Sequence, residues 1–168
     1  MSVKEHKANA PSSIRVLIVT VSDTRTLETD KSGVLMSQML EEKNHHIIDR
    51  VVIKDDKEAI ENAVERGVTN KEVDAILLNG GTGISKRDVT YDVIANMLEK
   101  ELTGFGELFR MLSYTEDIGS PAMLSRAIGG VLSETAIFAL PGSSGAVKLG
   151  MSKLIVPELP HVVREINK

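Results

Sequence analysis

The chain has no cysteine and no tryptophan. Without cysteine there can be no disulfide, no zinc–thiolate site and no cysteine nucleophile, and the composition is read as that of an intracellular, cytoplasmic protein. Aromatic residues make up only 3% of the 168 positions, so the core built from the 42% of apolar residues must be aliphatic. No excess of positive charge is present. The 20 basic and 24 acidic side chains leave a net charge of −4, whereas a general nucleic-acid binder usually carries a basic surplus, so no nucleic-acid partner is expected. Long hydrophobic runs are missing too. Apolar stretches such as Val16–Val19 and Ala136–Leu140 fall far short of the roughly 20 residues that span a bilayer, which argues against a membrane role. Residues 1–13 are polar, with two lysines, and read as a disordered tail rather than a signal peptide. The remainder, 14–168, fits a single domain.

The alternation of apolar and polar residues predicts an α/β protein. Ile14 to Val21 is rich in β-branched residues and reads as a buried strand. A helix over 31–43 follows, with Leu35 and Met39, and Met36 and Leu40, at helical spacing. His46 to Ile53 is a second strand. Ile60, Ala63, Val64 and Val68 mark a second helix, and Asp74 to Leu78 a third strand. This βαβαβ order implies a parallel sheet between helical layers. A further helix is predicted over 90–102 and another from Ser120-Pro121 to about Ile128, since a capping residue stands before a proline at the first helical position. Val131–Leu132 and Ala136–Leu140 suggest a hairpin or two short strands, and helices are expected near Ser144 and over 158–167. Methionines 36, 39, 97, 111, 123 and 151 are read as core packing. The neighbours His45 and His46 are read as surface residues, and the four histidines show no metal-ligand spacing.

The most informative segment is Asn79-Gly80-Gly81-Thr82-Gly83-Ile84-Ser85-Lys86-Arg87-Asp88-Val89-Thr90, between the third strand and a helix. Three glycines in four residues let a backbone approach a ligand closely and turn its N–H groups toward phosphate. It is not a Walker A loop, because Ser85-Lys86-Arg87 stands where Gly-Lys-Ser/Thr is required. Nor is it a dinucleotide fingerprint, because Lys86 occupies the third glycine position. No Gly-x-Ser-x-Gly elbow is present. In an open parallel sheet, ligands bind beyond the carboxyl ends of the strands. Ser22 and Asp23, Asp55 and Asp56, the glycine loop with Asp88, and Pro141-Gly142-Ser143 all fall at such ends. Each also has a purely structural reading: a tight turn for 80–83, a helix N-cap for Asp55, a solvated or capping carboxylate for Asp88, and a strand end with a helix cap for 141–143. A single cleft explains all four together, with Asp55 and Asp88 as oxygen ligands for magnesium.

The ordered set Asp30-Lys31-Ser32-Gly33, Gly80-Gly81-Thr82-Gly83, Arg87-Asp88-Val89-Thr90, Gly104-Phe105-Gly106-Glu107, Leu124-Ser125-Arg126-Ala127 and Pro141-Gly142-Ser143 resembles the MoaB/MogA family of molybdenum cofactor biosynthesis proteins. The match runs from about residue 14 to 156, and the segment Phe105 to Ser113 is more similar to the MoaB branch. The resemblance implies a three-layer α/β/α fold with a mostly parallel central sheet, assembly as trimers or hexamers, and a molybdenum-insertion protein as partner. It implies Mg2+- and ATP-dependent adenylylation of molybdopterin. The family's two important aspartates fall on Asp55 and Asp88. Ser22, Ser113 and Ser125 match serines near the pterin and its phosphate, and Asp23, Ser32, Gly33, the 80–83 loop and Pro141–Ser143 match walls of the substrate site. Ala139 stands where active plant and animal relatives carry an asparagine, and Lys54 where MogA has proline. Ala139 and the MoaB-like segment are the basis of a second reading, a molybdopterin-binding scaffold without catalysis. A third is an unrelated phosphate-ester enzyme on a similar scaffold.

Overall fold

The computed structural model describes residues 2–168. In chain order the elements are α1 (Val3–Ala8), β1 (Arg15–Val21), α2 (Lys31–Glu41), β2 (His46–Ile53), α3 (Lys57–Thr69), β3 (Ala75–Asn79), α4 (Thr90–Met97), β4 (Lys100–Glu101), α5 (Thr103–Glu116), a 3-10 turn (Ser120–Leu124), β5 (Ile128–Leu132), β6 (Thr135–Leu140), α6 (Ser144–Gly150), a π-helical turn (Met151–Ile155) and α7 (Val156–Ile166). The strands form one sheet in the order β2-β1-β3-β6-β5-β4. The first four run parallel, and the β5–β6 hairpin and the short β4 add an antiparallel edge.

Strand alternation divides the core into two layers. Val16, Ile18, Ala75, Leu77, Ala136, Phe138 and Leu140 face one layer, where they pack with residues of α2, α5, α6 and α7. Leu17, Val19, Val21, Ile76, Leu78, Ile137 and Ala139 face the other, against α3 and α4. Fully buried aliphatic side chains such as Ile18, Leu77, Ile94 and Leu140 dominate both layers; each contributes about 1.5–3 kcal/mol relative to exposure. The aliphatic core and the three-layer α/β/α architecture expected from sequence are thus present.

Four local expectations differ from the structure. Residues 1–13 were expected to lack order, yet Val3–Ala8 is helical. Its N-cap Ser2 and Glu5 form a capping box, and it lies against α7 through a His6–Glu165 hydrogen bond and a Lys7–Glu158 ion pair. The helix expected over 90–102 ends at Met97, because Glu99 N–H already bonds to Val131 O and Lys100–Glu101 pairs with β5. The helix expected from Ser120 to Ile128 is only a 3-10 turn ending at Leu124, because Ile128 is needed opposite Ala139 in the hairpin. His45 is buried rather than exposed, with its Nδ1 accepting the Ile14 N–H at 3.1 Å. Helix α5 was not predicted at all.

Sheet order places the site. From β1 the chain moves outward to β2, then returns to β3 on the other side of β1 and continues toward β6. The carboxyl ends of β1 and β3 therefore flank the point where strand order reverses, the crevice in which open α/β sheets bind ligands.

Candidate functional site

Two glycine conformations shape that crevice. Gly80 and Gly81 have φ of +94° and +68°, in the left-handed region that side chains resist. A Cβ at Gly80 would lie 2.2 Å from Val21 O, and one at Gly81 would lie 2.2 Å from Thr90 Oγ1 and 2.8 Å from Asp55 Oδ2. The loop thus runs directly against the end of β1 on one side and against Asp55 on the other. It is anchored by Gly80 N–H to Leu140 O at 3.0 Å and by Thr90 N–H to Gly81 O at 2.9 Å. Gly142 meets Gly80 from the β6 side, where an added Cβ would be 3.1 Å from Gly80 Cα.

The result is a cleft of about 390 Å3 lined by Val21, Ser22, Thr24, Arg25, Gly80, Gly81, Thr82, Gly83, Asp88, Leu124, Ser125, Pro141 and Gly142. Of the residues singled out from sequence, Ser22, the four loop residues 80–83, Asp88, Ser125, Pro141 and Gly142 line it directly. Asp55 lies immediately behind Gly81. Asp23, Ser32, Gly33 and Ser143 support the walls instead. Ser113 is buried within α5 and does not reach the cleft.

The two aspartates are placed differently from a pair of helix caps. Asp56, not Asp55, caps α3, accepting Ala59 N–H at 3.0 Å. Asp55 instead lies against the glycine loop, its Oδ2 2.8 Å from where a Cβ on Gly81 would sit. Its Oδ1 accepts Val89 N–H at 3.3 Å, and its Oδ2 accepts no hydrogen bond among the described residues. Burial pushes the Asp55 carboxyl above its ordinary range. The Val89 N–H opposes this, and the negative charges of Asp88 and Asp23 add to it. Asp88 Oδ2 accepts both Ser85 N–H at 3.0 Å and Ser85 Oγ–H at 2.6 Å, which folds the 85–88 segment back over Gly83. Asp23 ties the neighbouring loops together: its Oδ1 accepts Asp55 N–H at 3.1 Å and its Oδ2 accepts Arg87 Nη2 at 2.7 Å. The Arg87 guanidinium and the Asp55 amide hold the Asp23 carboxyl below its usual range.

The donor set fits magnesium. It consists of carboxylate oxygens, the oxygens a hard cation prefers, and Asp55 Oδ2 is free of protein donors. Thr90 Oγ1, buried and without a hydrogen-bond partner among the described residues, flanks the same glycine as Asp55 Oδ2. Two carboxylates suit an ion that keeps several of its waters.

Beneath the cleft lies a buried polar network. Asp30, the N-cap of α2, accepts Gly33 N–H at 3.0 Å, Thr20 Oγ–H at 2.7 Å and Arg50 Nη1 at 2.9 Å. Asn79 Nδ2 donates to Thr20 Oγ1 at 2.9 Å. Ser32 Oγ donates to Gly142 O at 2.6 Å, fixing the turn after β6 to the start of α2. Ser143 caps α6 through Ala146 N–H.

Three contributors had been assigned no role from sequence. Arg126 donates from Nε and Nη2 to Gly83 O at 3.1 and 2.7 Å and pairs with Asp92, so it fixes the end of the glycine loop. Thr90 closes the loop from below. Arg25 lines the cleft itself; an arginine four residues past a strand end was the available signal. Ala139, by contrast, is fully buried in the α3/α4 layer and does not line the cleft.

Residues 17–161 match the family described as "Probable molybdopterin binding domain". The chain is 61% identical over 168 residues to molybdenum cofactor biosynthesis protein B of Bacillus subtilis (strain 168), covering 100% of this chain and 99% of that one. The crystal structure of a molybdenum cofactor biosynthesis protein B superposes with a TM-score of 0.92 at 56% identity, covering 95% of this chain and 99% of the other. The tungsten cofactor synthesizing protein MoaB from Pyrococcus furiosus superposes with a TM-score of 0.84 at 33% identity, over 95% and 100% of the two chains. With the glycine loop, the paired aspartates and the sheet order all in place, the chain belongs to the MoaB/MogA family of molybdenum cofactor biosynthesis proteins.

Proposed function

We propose that this protein acts in molybdenum cofactor biosynthesis as a molybdopterin adenylyltransferase of the cytoplasm. In this reaction an oxygen of the terminal phosphate of molybdopterin attacks the α-phosphorus of ATP. The bond to the β-phosphate oxygen breaks, and adenylyl-molybdopterin and pyrophosphate form. The observation that carries the reading is the convergence of Asp55 and Asp88 on Gly81 and Gly83 at the sheet's switch point. Magnesium held there would supply positive charge to neutralise the pyrophosphate leaving group.

The chain's own residues have separable tasks. Asp55 and Asp88 would hold the ion. The 80–83 backbone lines the cleft, where its N–H groups would orient phosphate oxygens, and Arg126 and Thr90 anchor that backbone. Ser22 and Ser125 offer hydroxyls to the pterin and its phosphate. No nucleophile from the protein is required, which agrees with the lack of cysteine and of a serine elbow. Pre-set dipoles around developing charge are the main source of acceleration.

Assembly as a trimer or hexamer forms part of the proposal. Leu108, Met111 and Tyr114 on α5, with Ile118, Met123 and Leu124 after it, form an exposed apolar face; Met123 is 81% exposed. The methionines 111 and 123, expected in the core, lie on this face. An apolar face of this kind marks a protein–protein contact.

Pyrophosphate release measured with molybdopterin and ATP tests the reading. It is expected to depend on both substrates and on added magnesium. Release that ignores molybdopterin would overturn the assignment.

A further inference from the structure

Among the described residues lining the cleft, Arg25 is the one cation and Asp88 the one carboxylate. They sit at different parts of the glycine loop. Asp88 is beside Gly83, where an added Cβ would lie 2.6 Å from its Oδ2. Arg25 is beside Gly142, which packs on Gly80.

Arg25 also differs from its neighbours in what it touches. Arg15, Arg50, Arg87 and Arg126 each pair with a carboxylate, respectively Asp74, Asp30, Asp23 and Asp92. Arg25 pairs with none among the described residues. Its Nη1 reaches two neutral oxygens, Ser32 Oγ at 3.3 Å and Gly142 O at 3.4 Å, both near the limit of a useful hydrogen bond. Ser32 Oγ already gives its proton to Gly142 O, so these contacts aim the guanidinium without neutralising it. Nε and Nη2 make no hydrogen bond among the described residues.

The placement is built into the fold. Ser22, at the end of β1, accepts both Thr24 N–H at 3.2 Å and Arg25 N–H at 3.1 Å on its Oγ, and its own N–H is held by Ile53 O at 2.8 Å. This turn brings the Arg25 side chain back across the sheet edge to Gly142. The side chain is half-buried. A partly desolvated guanidinium with two unused donor groups, facing a cleft, is matched by an anion that accepts two parallel hydrogen bonds.

We propose that Arg25 is the anion anchor of the cleft and takes a phosphate monoester. Resting on the adenylylation reading, that monoester is the terminal phosphate of molybdopterin, while ATP and magnesium occupy the Asp88 side. Ser22 and Ser125 supply hydroxyl partners to the same phosphate. A monoester dianion can use both free donors of the fork; a lysine in this place would keep the charge and lose the paired geometry.

The test uses phenyl phosphate as the probe, titrated into the full-length protein while the Arg25 Nε–Hε resonance is followed. It is repeated with Arg25→Ala, Arg25→Gln and Arg25→Lys, whose folding is checked by thermal unfolding. Wild type is expected to shift that resonance on saturation. Arg25→Ala and Arg25→Gln are expected to bind the probe roughly 10–100-fold more weakly, the loss typical of hydrogen bonds to a charged group. Arg25→Lys is expected to fall between. Binding of magnesium–ATP should stay within about threefold of wild type in all three, and the variants should raise KM for molybdopterin more than they lower kcat. No Nε–Hε shift in wild type overturns the proposal. So does equal probe binding by Arg25→Ala and Arg25→Gln, an equal loss of magnesium–ATP, or a fall in kcat with KM unchanged. The two readings fail separately. Arg25-dependent probe binding in a protein that does not adenylylate molybdopterin leaves the anchor standing and removes the reaction. Adenylylation with unchanged KM in Arg25→Ala removes the anchor and leaves the reaction.

Discussion

Asp55 Oδ1 accepts the backbone N–H of Val89 at 3.3 Å, joining the loop after β2 to the residue that follows Asp88. One carboxylate thus holds in place the segment that carries the other. Asp55 is buried where ionisation is costly, and its Oδ2 has no donor among the described residues. A buried carboxylate with an open oxygen is suited to a cation rather than to stability.

Replacing either aspartate by asparagine should therefore remove activity without unfolding the protein. Asp55→Asn and Asp88→Asn are each expected to lower adenylyl transfer by about 100-fold or more. Asp55→Asn should unfold no earlier than wild type, because it keeps an acceptor for Val89 and removes a charge that burial disfavours. Steady-state kinetics with thermal unfolding checks both statements. Full turnover by both variants would remove the assigned metal role.

The glycine loop should not tolerate a methyl group. Gly81→Ala places its Cβ 2.2 Å from Thr90 Oγ1 at a φ of +68°. A loss of about 1–3 kcal/mol is expected from the backbone conformation alone, with reduced turnover because Asp55 must also move. Denaturant unfolding and the transfer assay, run side by side, measure the two effects.

Asp30 differs from Asp55 and Asp88 in being fully enclosed in a hydrogen-bond network. Asp30→Ala leaves Gly33 N–H, Thr20 Oγ and Arg50 without their partner. Removing one member of such a buried pair costs about 3 kcal/mol. The urea midpoint should fall accordingly, far more than for Asp88→Asn, which loses only the Ser85 contacts.

His45 gives the fold a pH dependence. Burial lowers its pKa from 6.5, so the unfolded chain takes up this proton more readily than the folded one. Stability from this group is complete above about pH 6.5 and is lost as pH falls from there toward the folded value. The unfolding midpoint should drop between about pH 7.5 and 5.5. His45→Asn keeps an acceptor for Ile14 N–H and should flatten that dependence; an unchanged slope would show that another group causes it.

Much of this was legible in the sequence, for reasons the structure makes plain. Strands β1, β2 and β3 declared themselves through β-branched and aliphatic runs, and Pro141–Ser143 through a cap that Ser143 does make. The choice between Asp55 and Asp56 as the cap of α3 was not legible, since both stand at the helix start; only the fold shows that Asp56 takes Ala59 N–H. Helix α5 was missed because Gly104 and Gly106 weaken its local signal and its outer face is apolar. Met111 and Met123 were read as core for the same reason. His45 is buried because Ile14 N–H needs an acceptor beside β2, a partner 31 positions away that spacing does not reveal. Arg25 carried no motif at all.

The apolar face around α5 predicts self-association. Leu108→Glu combined with Met111→Glu should shift the protein toward monomer in sedimentation velocity while leaving far-ultraviolet dichroism unchanged, because both side chains are exposed in the single chain. An unchanged sedimentation coefficient would place the contact elsewhere.

On the proposed function, Asp55 and Asp88 make this cleft an adenylylating one. The most direct test is mass-spectrometric detection of adenylyl-molybdopterin after incubation of purified protein with molybdopterin, ATP and magnesium, beside Asp88→Asn. Wild type should yield an AMP-bearing pterin and the variant essentially none. Molybdopterin bound by wild type but recovered without AMP would contradict it.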